Sequence, residues 1–167
     1  QFGISVCRSD GDLPFEFQEG KSVLVTSVQK MFNGLTKFGL GPRSLGVHSV
    51  LMDDAHACID AIRDAFLIRF GKDEAAYADL LTLFAGDLER QGAGTYADIR
   101  NHIGNVVLPV PYWAWEDKAS EVAAIVSKHG KNGSNKFAWP LVRDTLKNSH
   151  CVFSGSAVEI APYLHPL

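Results

Sequence analysis

The sequence predicts an α/β fold with a mostly parallel sheet, on three observations. Short β-branched runs alternate with stretches of helical period. One run, Ser49-Val50-Leu51-Met52, stops abruptly at Asp53-Asp54-Ala55-His56 and leads straight into a helical pattern. The block between that run and the last clear strand is about 95 residues long. A crossover between parallel strands requires only ~12. Residues 74–148 therefore read as an inserted helical layer.

In chain order, Gly3 to Cys7 reads as a first strand. Arg8 to Gly20 is polar, with Asp10-Gly11 as a turn. Ser22 to Thr26 is β-branched and forms the second strand. Ser27 to Phe32 gives one or two helical turns, with Ser27 as N-cap and Asn33-Gly34 as stop. Residues 34–46 are glycine-rich, contain Pro42 and form a loop. The run at 49–52 is the third strand. Ile59, Ile62, Phe66 and Phe70 recur near helical spacing, so a helix extends to Phe70.

Tyr77, Leu80, Leu81, Phe84 and Leu88 share one face of a helix over 74–90. Tyr77, Leu81, Phe84 and Leu88 are expected to be buried, and Asp79 and Glu89 exposed. Gly92-Ala93-Gly94 ends this helix, and Tyr96 to Ile103 forms a short one. Asn105 to Val110 is an edge strand or extended connector, because Pro109 and Pro111 interrupt it. Glu116 to His129 is helical, with Val122, Ile125 and Val126 inward. After a turn at Lys131-Asn132-Gly133-Ser134, Lys136 to Lys147 forms a helix that holds Pro140 in its first turn. His150 to Ser154 is the last strand, and Ala161 to Leu167 has no regular pattern.

The 167 residues suit one domain and suffice for a real core. Apolar content of 46% against 21% charged argues for a globular chain and against disorder. A net charge of -3 gives no general pull toward nucleic acid or membrane, so any nucleic-acid contact is a local patch. Cys7, Cys58 and Cys151 are odd in number and far apart. They read as free thiols in a reducing, cytoplasmic compartment. No apolar run approaches the ~18 residues of a membrane helix, and no signal peptide is recognisable. The chain starts at Gln1, which reads as a processed start or as a piece of a longer protein.

Ligands of a parallel α/β sheet bind beyond the carboxyl ends of its strands. Asp53 and Asp54 would stand at that edge, where acids hold a divalent metal beside a phosphate. Carboxylates there also cap the following helix. Thr26, Ser27 and Lys30 lie just past the second strand, where hydroxyls and amides suit a nucleic-acid phosphate. An ordinary N-cap and a solvated lysine fit the same residues. Gly20-Lys21-Ser22 is not a phosphate-binding loop: Phe15 stands five residues before Gly20, and a strand follows instead of a helix. Trp113, Trp115 and Trp139 read as core or inter-helix residues before base-stacking ones. Lys128, Lys131, Lys136, Arg143 and Lys147 form a solvated basic face or a DNA-facing patch. The six histidines lack zinc-site spacing.

Three stretches carry a family resemblance. VLVTSVQKMFNG at 23–34, VLMDDAH at 50–56 and CVFSGSAVEIAP at 151–162 resemble motifs Ib, II and III of superfamily 2 DEAD/DEAH-box helicases, in that order. FNG, DDAHAC, PYWAWEDK and FAWPL are similar to a bacterial group with a long helical insertion between motifs II and III. The resemblance implies that residues 1–167 are a single partial RecA-like, P-loop NTPase-type domain with 74–148 inserted. It implies that Asp53 orients Mg²⁺ on ATP and that Asp54, where the family usually has Glu, polarises the attacking water. His56 would link this site to motif III, where Ser154 and Ser156 fall, and Thr26, Ser27 and Lys30 would meet DNA or RNA. Without a P-loop the chain resembles a fragment of an ATP-dependent helicase or translocase. It would depend on the remainder of the helicase chain and would not hold ATP tightly. Two alternatives stand beside this: a non-catalytic nucleic-acid or protein-binding module with a RecA-like shape, and a metal-dependent hydrolase built on Asp53, Asp54 and His56.

Overall fold

Ile68 and Phe70 face one side of a short strand and Arg69 the other. The same two-residue period buries Cys151 and Phe153, and Val158 and Ile160. These runs form three strands of a four-stranded antiparallel sheet in the second of two units. The computed structural model describes residues 3–9, 11–39 and 44–163. The units are Gln1–Ala65 and Phe66–Leu167.

The first unit contains β1 (Val6–Arg8), α1 (Phe15–Gln18), β2 (Val23–Val25), α2 (Val28–Met31) and α3 (Ala55–Ala65). β1 and β2 pair in parallel, Val6 with Val23 and Arg8 with Val25, and α1 lies in the connection between them. α2 packs on α3. No described apolar side chain of this unit is buried, and Val6, Val23, Val25 and Ile59 are among the exposed ones.

The second unit runs β3 (Ile68–Gly71), α4 (Ala75–Arg100), β4 (Val107–Pro109), α5 (Tyr112–Asp117), α6 (Ala119–His129), α7 (Asn135–Val142), a 3-10 segment (Arg143–Asn148), β5 (Ser149–Ser154) and β6 (Ala157–Pro162). Its sheet order is β3-β6-β5-β4, every pair antiparallel. Tyr77, Leu80, Phe84 and Leu88 of α4 are buried in the core with Trp115, Val122, Val126 and the inward face of the sheet. Phe84 stacks on Trp115 with centroids 6.0 Å apart, and Tyr77 meets Phe153 edge-on at 5.9 Å. The Trp115 indole N–H donates to the Leu146 carbonyl at 2.9 Å, so its one polar atom is satisfied. Each such large apolar side chain contributes about 1.5–3 kcal/mol on burial.

Polar contacts lock the periphery. Lys118 reaches the Asp87 carboxylate at 2.6 Å and the Leu83 carbonyl at 2.9 Å, and Arg90 takes the other Asp87 oxygen at 2.6 Å. The Asn135 amide bonds to both backbone groups of Arg69, accepting from its N–H at 3.0 Å and donating to its carbonyl at 2.7 Å. At the opposite edge, Gln91 donates to the Pro109 carbonyl at 2.9 Å.

A mixed α/β fold is what the sequence predicts, but among the described residues the parallel pairing is small, β1 with β2 and one isolated bridge between Phe38 and Leu45, while the larger sheet is antiparallel. Residues 49–52 form no strand. Leu51 is 96% exposed, and a strand without a neighbour leaves its backbone groups unpaired. The helix that should reach Phe70 stops at Ala65, because Phe66, Ile68 and Phe70 alternate and feed β3. The break near Gly92 is real: α4 carries non-helical backbone there. Tyr77, Phe84 and Leu88 are buried as expected, whereas Leu81 is only partly buried and Asp79 is not fully exposed. β4 is the expected edge strand. Pro140 lies inside α7 beyond its first turn, and the chain tightens into the 3-10 segment soon after. Part of the tail is ordered: Ala161 and Pro162 belong to β6. Asp10 and Pro42, read as turn and loop residues, and the last four residues lie outside the described residues. Among the described residues no helix is long and apolar enough to cross a membrane.

Candidate functional site

Asp53 and Asp54 divide their work. The Asp54 carbonyl accepts the Cys58 N–H at 3.0 Å, and its carboxylate accepts the Ala57 N–H at 3.3 Å. Asp54 is therefore the N-cap of α3. Its backbone is left-handed, with φ 49°, a region that Asp tolerates better than most residues. Among the described residues the Asp53 carboxylate has no hydrogen-bond or ion-pair partner, and it is exposed; its carbonyl is engaged by the Cys58 thiol at 3.2 Å. His56 follows in the first turn of α3, also exposed. The two acids stand on the loop entering α3, with no strand before them.

Thr26 and Ser27 follow the carboxyl end of β2, a parallel strand, as expected. Ser27 holds the N-cap position of α2 without a side-chain bond. Lys30 spends a donor on the Ser9 carbonyl at 2.5 Å, tying α2 to the end of β1. Because α2 packs on α3, the Thr26–Lys30 group and the Asp53–His56 group belong to adjacent helices of one unit. Gly20-Lys21-Ser22 lies between α1 and β2, a helix-to-strand passage, so its amides do not open a helix.

Ser154 and Ser156 belong to the second unit, in the two-residue hairpin between β5 and β6. The Ser154 hydroxyl is taken up inside that turn, accepting the Ala157 N–H at 3.0 Å. Its carbonyl accepts the Tyr77 hydroxyl at 2.8 Å, and burial pushes the Tyr77 phenol up, keeping it a donor. A Cβ at Gly155 would lie 2.2 Å from the Ile103 carbonyl oxygen, so only glycine fits there. Gly155 is thus a packing requirement of this hairpin.

Of the tryptophans, Trp115 is core and Trp139 packs against the core, while Trp113 is exposed. Burial pushes the Cys151 thiol up, and all three cysteines are free. An open cavity of about 500 Å³ is lined by Asp12, Gln18, Thr36 and Lys37 among others, and holds none of the sequence-predicted site residues. Among the described residues no cluster of three or more His, Cys, Asp or Glu could hold a metal.

No family model, curated protein or solved structure matches this chain.

Proposed function

We propose that this chain is part of an ATP-dependent nucleic-acid helicase or translocase of the DEAD/DEAH type, its fold a partial RecA-like domain. The carrying observation is the free, exposed Asp53 carboxylate beside an Asp54 committed to capping α3. Mg²⁺ keeps most of its water shell and commonly takes one or two protein carboxylates. A single uncommitted aspartate therefore fits the ion even though no three-residue cluster is present. Mg²⁺ would neutralise charge on the phosphates of ATP. Asp54 is a weak candidate for polarising water: it is one methylene shorter than Glu, and one of its oxygens already accepts an amide. About 1 Å of misplacement costs ~100-fold. Thr26 and Ser27, with free hydroxyls past a parallel strand, are the candidates for a nucleic-acid backbone. The phosphate-binding amides and lysine have to come from outside these residues.

The test is nucleic-acid-stimulated phosphate release by the longest natural polypeptide that contains this chain. Asp53→Ala should abolish it while leaving the circular dichroism spectrum unchanged. Unaltered turnover in that variant overturns the reading. The position of Gly20-Lys21-Ser22 between helix and strand favours one alternative, a binding module that holds no nucleotide. A polypeptide that binds nucleic acid but never ATP would establish it.

A further inference from the structure

We infer that the turn joining α6 and α7 is a second binding surface, for single-stranded nucleic acid. Lys128, Lys131 and Lys136 would meet backbone phosphates, and Phe137 would offer a ring to a base. The stretch from Val122 to Arg143 contains no Asp or Glu, yet holds Lys128, Lys131, Lys136 and Arg143. Arg143 pairs with Asp144, but neither Lys131 nor Lys136 has a carboxylate partner among the described residues. Lys128 lies 3.6 Å from Asp79, a carboxylate that His129 also contacts at 3.0 Å, and stays 70% exposed. Of the three lysines only Lys128 has an acid nearby among the described residues, and it shares that acid with His129.

The surface is firmly seated. α6 buries Val122 and Val126, and α7 buries Ala138 and Val142. Asn135, at the first position of α7, is held by both its bonds to Arg69. Lysines projecting from such a frame lose little backbone freedom on binding. Phe137 is 38% exposed, and the Lys136 ammonium lies 4.6 Å from its ring centroid. A cation beside an accessible aromatic face is the combination that binds single strands without sequence preference. An anionic membrane fits less well, because both helices spend their apolar faces on the core and leave no stripe to insert. This inference rests on charge and burial in the second unit and does not depend on the role of Asp53.

The experiment is fluorescence anisotropy of a labelled oligo-dT with this chain, repeated across a salt titration. Three phosphate contacts predict a log–log salt slope of about −2. Lys131→Ala/Lys136→Ala should weaken binding at least tenfold and flatten the slope by about 1.4. Phe137→Ala should weaken it by about tenfold with no change of slope. Absence of binding at low salt, or an affinity and slope unaffected by the double lysine variant, overturns the inference. So does tighter binding to phosphatidylserine vesicles than to the oligonucleotide with the same lysine dependence, which would assign the patch to a membrane surface. Thermal melts check that each variant is folded. In the longest natural polypeptide that contains this chain, loss of oligonucleotide binding in the lysine variant with unchanged ATP turnover would separate this surface from the Asp53 site.

Discussion

The Tyr77 hydroxyl donates to the Ser154 carbonyl across 2.8 Å, joining the first turn of α4 to the β5–β6 hairpin. Tyr77 is 2% exposed, so no bulk water replaces the bond once it is lost. Tyr77→Phe keeps the ring on Phe153 and deletes only the hydroxyl. The cost should be about 1–3 kcal/mol, because the carbonyl is left unpaired. Thermal unfolding should register a drop of roughly 4 °C or more. An unchanged midpoint would show that the bond is dispensable.

Gly155→Ala drives a methyl into the backbone of Ile103. Backbone does not step aside as a side-chain tip does, so the loop after α4 or the hairpin must shift. A cost of about 1–3 kcal/mol or more is expected, measured by urea unfolding.

Acid should weaken the Asp87 junction. The hydrogen bond from Lys118 holds the Asp87 carboxyl below its ordinary range, against burial that raises it, with the Lys118 and Arg90 charges assisting. Its folded value lies below its unfolded one, so its contribution is full above the ordinary carboxylate range. It is lost as pH falls through the folded value. Urea midpoints followed downward from about pH 5 should decline, and Asp87→Asn should flatten that decline. An equally steep decline in the variant would place the proton uptake elsewhere.

ATP should bind this chain weakly. A metal bridge through Asp53 without phosphate-cradling amides supports millimolar affinity at best, or ~4 kcal/mol. Calorimetry should show no micromolar binding. Micromolar binding abolished by Asp53→Ala would mean that other residues of this chain hold the phosphates.

The helical period was legible where it was long. Tyr77, Leu80, Phe84 and Leu88 repeat on one face over three turns and are all buried, and the Gly92 break follows from its glycines. The strands were harder to read, because a strand is defined by its partner. Val50 to Met52 has strand composition but no neighbour, so it stays a loop. Phe66 and Phe70 fit a helical spacing with Ile59 and Ile62 as well as the alternation with Ile68 that won. β6 was marked by Ala157 to Ile160 alternating just after a Gly-Ser turn, a hairpin signature hidden by the motif resemblance. At the candidate site the residue types were readable, but their division was not. Which acid caps α3 depends on the local backbone at Asp54, where φ is 49°.

The bonds at the two ends of the main sheet bear on how copies of the chain behave when crowded together. A free edge strand is a template on which neighbouring molecules add strands and grow fibrils. At β3 the Asn135 amide occupies the outward N–H and carbonyl of Arg69 as a backbone partner would. At β4 Pro109 has no N–H to offer, and Gln91 occupies its carbonyl. Each rim of that sheet thus has one outward position occupied by a side chain, which hinders the addition of a further strand there. The three-residue β1 and β2 carry no comparable stopper among the described residues, which makes the first unit the place where misassembly would start.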